Sequence, residues 1–151
     1  MVYRVAPSHT VQFLESVDIF HGLTGPDLER VAAICQEWNF RAGDSLGAQN
    51  EPGSLLYIVR RGEVTATHES PEKSVVVRTM RPHEAFPVAV LFDPPVLVTT
   101  THAATDGDGF VIPGSQLREL FDLEPRVGMH VYRTVSGILA GRYRRTLERF
   151  A

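Results

Sequence analysis

Apolar residues follow a helical period at both ends of the chain and shorter, strand-like runs between them. Phe13, Leu14, Val17 and Phe20 fall on one helical face within residues 11–20. After Gly22-Leu23-Thr24-Gly25-Pro26-Asp27 a second stripe follows, made of Leu28, Val31, Ala32, Ile34 and Cys35. Thr24 is placed to cap that second helix, Pro26 fits its first turn, and Asp27 lies near the positive end of its dipole. From Trp38 to Pro113 the pattern shortens. Runs at 38–41, 54–60, 64–68, 75–80, 96–104 and 110–112 are separated by turn residues, among them Ala42-Gly43-Asp44, Arg61-Gly62-Glu63, Ser70-Pro71-Glu72 and Asp106-Gly107-Asp108-Gly109. Short runs with this punctuation predict an antiparallel barrel or sandwich. Gly43 and Gly62 are expected at positive φ, where the chain reverses without a Cβ clash.

Residues 85–92 are apolar and closed by Asp93-Pro94-Pro95, a short helix or a loop. Helical period then returns. Ser115 can cap a helix over 115–123 that ends before Pro125, and 126–150 offers a long proline-free stretch. One face of it carries Met129, Tyr132, Leu139, Tyr143, Leu147 and Phe150; a second stripe carries Val127, Val131, Val135 and Ile138. Gly137 and Gly141 weaken this helix by up to about 1 kcal/mol each relative to alanine, and leave room for another backbone to approach. No repeat, linker or low-complexity stretch interrupts the order of helices, strands, helices. The expectation is one domain over 1–151, of mainly β class with flanking helices (α+β), its strands at about 38–113 and its C-terminal helices at about 115–150.

Composition narrows the function. Hydrophobic residues make up 43% and charged residues 22%, which excludes a disordered chain, and the net charge of −3 argues against non-specific nucleic-acid binding. Cys35 is the single cysteine, so an internal disulfide, an iron–sulfur cluster and a cysteine-rich zinc site are all ruled out, and its apolar setting predicts a buried structural thiol. Residues 1–20 have no apolar core after a basic start, and no run approaches the roughly 18 apolar residues of a membrane span; a cytoplasmic protein is expected. None of the six histidines sits at a His-x₃-His spacing, so no metal site is expected. Only His83 and His102, near the apolar segment, are conceivable iron ligands. Asp106-Gly107-Asp108-Gly109 lacks the glutamate a calcium loop needs and is expected to be a hairpin turn. No serine elbow, P-loop or paired catalytic carboxylates occur. The chain is not expected to be an enzyme or to carry a cofactor.

The turns form an ordered series: Phe20-His21-Gly22-Leu23 with Leu28; Phe40-Arg41-Ala42-Gly43-Asp44; Leu56-Tyr57-Ile58-Val59-Arg60-Arg61-Gly62-Glu63-Val64; Met80-Arg81-Pro82-His83-Glu84-Ala85-Phe86; and Thr99-Thr100-Thr101-His102-Ala103. Over about residues 13–150 this series resembles the cyclic-nucleotide-binding domain of catabolite-activator-type regulators, kinase regulatory subunits and gated channels. The resemblance implies an antiparallel β-roll or jelly-roll barrel of about eight strands, with short N-terminal helices and a long C-terminal helix.

It also exposes a break. Similar domains that bind cyclic nucleotides carry Phe-Gly-Glu, a short helix, then Pro-Arg before Ala-Thr. The glutamate accepts from the ribose hydroxyl, and the arginine and the amides at the helix start hold the phosphate. Here Phe86 is followed by Pro87 in place of glycine and Val88 in place of glutamate. The arginine position falls on Leu97 or Val96, and no Lys or Arg occurs between Arg81 and Arg118. Losing both partners should weaken a cyclic nucleotide by on the order of 10³-fold or more. Arg60, Arg61, Arg78 and Arg81 are the cations able to reach in from neighbouring strands. Two readings of the apolar segment stand: it collapses as core, or it lines a pocket formed by Phe86, Pro87, Val88, Ala89, Leu97, Val98, Thr99 and Thr100.

The leading expectation is a non-catalytic regulatory or adaptor module that acts through protein contacts. The alternatives are a sensor of another small molecule, and a structural subunit of a larger assembly. With one apolar stripe of the long helix for the roll and one free, the helix suggests a homodimer through Val131, Val135, Ile138 and Arg142. Arg142, Arg144, Arg145 and Arg149 can touch phosphates, or simply complement the helix dipole. Relatives that bind DNA carry a helix-turn-helix after the long helix; none is read here before Ala151, so direct sequence-specific DNA binding is not expected.

Overall fold

The computed structural model describes residues 8–151. The reading of the N-terminus as free of a secretory leader rests partly on residues 1–7, which lie outside the described residues. α1 (Ser8–Glu15) and a 3₁₀ turn (Asp18–Phe20) lead into α2 (Gly25–Ala32). The first helix stops where the Ser16 hydroxyl donates to the Phe13 carbonyl at 2.7 Å, a local bond that competes with the helical ladder. At α2 the expected cap is present in both directions. The Asp27 amide donates to the Thr24 hydroxyl, and the Thr24 amide donates to the Asp27 carboxylate.

Eight strands follow: β1 (Gln36–Phe40), β2 (Ser45–Gly47), β3 (Leu55–Arg61), β4 (Val64–Glu69), β5 (Ser74–Met80), β6 (Ala85–Phe86), β7 (Thr100–Ala103) and β8 (Gly107–Pro113). They form two antiparallel four-stranded sheets in the orders β1-β8-β3-β6 and β2-β7-β4-β5, the jelly-roll expected from the sequence. Gly43 and Gly62 sit at φ +92° and +107°, as the turns require. Gly107 and Gly109 differ from expectation, because they lie within β8 rather than in a turn. A Cβ on either would fall about 2 Å from the carbonyl oxygen of Arg61 or Ile58, where the β3–β8 register shifts. These glycines serve close strand approach, and the reversal is confined to 104–106. The run at 96–104 is also shorter than expected. Only β7 pairs as a strand, while Val96 makes an isolated bridge to Pro52.

Two cores result. One lies between the helices and the β1-β8-β3-β6 sheet and contains Leu14, Phe20, Val31, Ile58, Phe110 and Leu117. The other fills part of the roll with Phe40, Val59, Val64, Ala66, Met80 and Phe86, flanked by Trp38 and Tyr57. α3 (Gly114–Leu123) starts after Pro113 with no side-chain cap, so Ser115 does not serve as one. α4 (Pro125–Glu148) packs on α3 and on the 3₁₀ turn at 18–20. Gly128 allows that approach, since a Cβ there would come 2.8 Å from the Phe121 Cβ. Gly137 faces open space and Gly141 meets only the Arg145 side chain, so among the described residues no backbone packs against either.

The α4 stripe expected at a dimer interface is instead part of the chain's own core. Val131 and Val135 are 0% and 1% exposed, and Ile138 packs half-buried against the same core. This stripe is not free, because α4 turns it inward over the N-terminal elements. At the start of α4 the Arg126 guanidinium donates to the buried Asp27 carboxylate at 2.6 Å. Among the described residues no helix is long and apolar enough to cross a membrane.

Candidate ligand-binding site

The segment that departs from the family pattern begins where β6 ends after two residues. The Phe86–Pro87 peptide is cis, and Pro87 precedes a 3₁₀ turn (Val88–Leu91) at φ −79°. Proline removes one amide from the place where similar domains direct N–H groups at an anion. The turn divides its side chains. Val90 and Leu91 are buried in the helix–sheet core, while Val88 and Ala89 border a cavity of about 740 Å³. The segment therefore contributes partly to the core and partly to the lining of the cavity.

Phe86, Pro87, Val88 and Ala89 line this cavity, as do Val98 and Thr99. Leu97 and Thr100 do not. Leu97 is 4% exposed and wedges against Gly47 and Gly53, where an added Cβ would lie 2.6 Å from its methyl groups. Thr100 uses its hydroxyl to accept from the Gln49 amide at 3.0 Å. Of the two positions open for the missing arginine, Val96 borders the cavity and Leu97 is core.

The opposite wall carries what the sequence reading missed. Arg78 of β5 and Arg142, Arg145 and Arg149 at the end of α4 also line the cavity. Arg142, assigned from sequence to a dimer interface, is thus placed over the roll of its own chain. The other strand arginines are engaged elsewhere. Arg60 and Arg61 both pair with Asp108, at 2.6 and 3.1 Å, and Arg81 lies 4.0 Å from Glu63.

A sequence signal for the arginine wall existed. Val127, Val131, Val135, Ile138, Arg142, Arg145 and Arg149 are separated by steps of four or three residues, so they share one helix face. The face is apolar while α4 crosses the core and cationic where it passes over the cavity. Arg144 is off this face and does not line the cavity.

Charge at this wall is incompletely matched. Arg78 donates to Glu84 at 2.7 Å. Asp18 accepts the amides of Ile19 and Ala85 at 2.8 and 3.1 Å, and burial pushes its carboxyl above the ordinary value against those two bonds. The Arg142 Nε is buried and meets no acceptor among the described residues. Burial lowers the Arg142 pKa first and repulsion from Arg78 adds to it, while Asp18 and Glu84 act in the opposite direction. A buried donor without a partner is uncommon in a folded chain and asks for an acceptor.

A second cleft of about 630 Å³ lies beyond Phe92, bordered by Asp93, Arg118 and Tyr132. Its principal donors are already engaged: Arg118 with the Val90 carbonyl and Tyr132 with the Leu91 carbonyl. His83 stacks on Phe13 with centroids 5.0 Å apart and has its Nδ1 2.6 Å from the Ser16 hydroxyl. No three His, Cys, Asp or Glu side chains converge as metal ligands among the described residues. Burial pushes the Cys35 thiol up to about 12, which keeps it protonated and unreactive.

With this geometry in hand, comparison with known proteins defines the class. Residues 37–124, more than half of the chain, match the family model of the cyclic nucleotide-binding domain, and the chain belongs to that family. A CRP-like cAMP-activated global transcriptional regulator of Mycobacterium tuberculosis is 25% identical over 141 residues, covering 93% of this chain and 61% of the relative. The chain thus spans about three-fifths of that relative's length. Among solved structures, the N-terminal domain of a transcriptional regulator from Streptomyces coelicolor is similar at TM-score 0.72 and 25% identity, covering 92% of this chain and 95% of that one. A putative cyclic nucleotide-binding protein from Geobacter metallireducens gives TM-score 0.76 at 21% identity, covering 93% and 99%.

Proposed function

We propose that this chain is a single non-catalytic regulatory domain that does not hold cAMP or cGMP in the manner of its family. It senses a different small molecule in the roll and passes the signal on by protein contacts. The observation that carries this reading is an open cavity of about 740 Å³ bounded by Pro87, Val88 and Val96, with no Lys or Arg between residues 81 and 118. A cyclic nucleotide seated in the family's orientation would put its phosphate beside Pro87 and a ribose hydroxyl against Val88. Each polar group left unpaired on that wall costs about 1–3 kcal/mol. A cavity of this size, apolar with a few convergent polar groups, has the dimensions of a small-molecule site.

Self-association through α4 belongs to the same proposal, on a different face from the one read in the sequence. Met129, Tyr143 and Leu147 are exposed on that helix, and Phe150, just past its end, is 83% exposed. Calorimetric titration tests the central reading. No binding of cAMP or cGMP at micromolar concentration is expected, and a micromolar dissociation constant for either overturns it. Native mass spectrometry of protein purified from its host is expected to reveal a carried mass other than a cyclic nucleotide.

A further inference from the structure

We infer that anion recognition in this domain has moved across the roll, from the segment after β6 to the last turns of α4, and that the ligand is an organic anion with an apolar body. The inference rests on the sensor reading above and specifies its ligand. Phe86, Met80 and Val88 offer the apolar body its walls, and Arg142, with Arg78, Arg145 and Arg149, meets the charge. The placement is geometric. One helix face runs from Val127 to Arg149 and changes from apolar to cationic where α4 leaves the core.

The ligand's charge follows from the balance of the wall. Arg78, Arg142, Arg145 and Arg149 stand against two neighbouring carboxylates, Glu84, which is paired with Arg78, and Asp18, which leaves the cluster in cationic excess. The buried Nε of Arg142 then stands ready for an acceptor that the described chain does not provide. A carboxylate or phosphate can take a guanidinium in a two-pronged pair and also satisfy neighbouring arginines. The negative end of the α4 dipole further favours the cations Arg145 and Arg149 at the end of the helix before any ligand arrives. A neutral apolar molecule would fill the cavity and leave Arg142 unmatched.

Ligand chemistry also links the site to the rest of the molecule. The valines of the α4 stripe pack in the helix–sheet core, and its arginines face the cavity. An anion bound at Arg142 therefore pins the C-terminal turns of α4 to the roll, while an empty cavity leaves three arginines repelling one another there. The exposed Met129, Tyr143 and Leu147 ride on the same helix, so occupancy is communicated to any surface that α4 contacts.

Calorimetry on the full chain with decanoate, decyl phosphate, 1-decanol and cAMP tests the proposal. One or both decyl anions should bind at least 10-fold more tightly than 1-decanol, and the stronger of the two identifies carboxylate or phosphate as the headgroup. Arg142→Gln and, separately, the exposed Arg145→Gln should each weaken the anion by about 10- to 100-fold, the loss of one charge-assisted bond, with 1-decanol unaffected. Arg144→Gln, off the cavity face, should leave anion affinity unchanged. Equal binding of decanol and both anions, or anion binding indifferent to Arg142 and Arg145, overturns the anion subsite while leaving a sensor of neutral molecules standing. Binding of cAMP alone overturns both this inference and the sensor reading. Binding of none of the four overturns the inference.

Discussion

The two ends of α4 treat an arginine in opposite ways. At the N-terminal end Arg126 meets a buried carboxylate of its own chain, Asp27, at 2.6 Å. Arg126, with Thr24, holds the Asp27 carboxyl down at about 2. At the C-terminal end Arg142, unlike the exposed Arg126, is partly buried, yet its Nε has no acceptor among the described residues, and burial and Arg78 push its pKa down. One end is electrostatically complete within the fold. The other is incomplete over a cavity. An internal ion pair fixes where the helix sits; a cation left without its anion beside an apolar hollow marks where something else is received.

The sharpest way to break the contrast is to restore the family's cation on the roll wall. Leu97→Arg would place an unpaired charge where Leu97 wedges against Gly47 and Gly53, at a cost of about 3–5 kcal/mol. Urea unfolding should register that loss, whereas Val96→Arg at the cavity edge should change stability by no more than about 0.5 kcal/mol. Similar losses from both variants would mean that the two positions do not differ as described.

Opening the closed end of α4 comes next. Asp27→Ala removes a hydrogen bond to a charged group and a helix cap together, and should cost about 3 kcal/mol. The pH dependence carries the sign. Asp27 lies at about 2 when folded against an ordinary value of 3.8, so the unfolded chain binds more protons between those values. Its stabilisation is complete above about pH 4 and disappears as the pH falls through about 2; acid unfolding of Asp27→Ala should lack this component. The smallest effect has the opposite sign. Arg142→Met replaces an unmatched donor by an apolar chain of similar length and should raise stability by about 1 kcal/mol, or roughly 2–4 °C in Tm. A destabilised Arg142→Met protein would mean that Arg142 is already satisfied in the fold.

Much of the architecture was legible because its causes are local. Thr24 and Asp27 cap α2 through neighbours in sequence, Gly43 and Gly62 turn the chain at positive φ, and the helical stripes gave α2, α3 and α4. What sequence missed depends on register or on where one element crosses another. Gly107 and Gly109 were read as a turn because their true requirement, the nearness of the β3 carbonyls, exists only once β3 and β8 are paired. Val131 and Val135 read from sequence as a partner-facing stripe because nothing local says which helix face turns inward, yet both are buried. The lack of cations between residues 81 and 118 was read correctly from sequence, but its meaning changed when α4 carried Arg142, Arg145 and Arg149 over the roll. A ligand wall assembled from distant segments cannot be judged from one of them.

The most direct test observes the Arg142 Nε–H itself by nitrogen-15 NMR while decanoate is added. The account predicts that this signal moves to a hydrogen-bonded position and is protected from solvent exchange with decanoate, and stays in place with 1-decanol. A signal unmoved while decanoate binds, or one that responds equally to the alcohol, would contradict it.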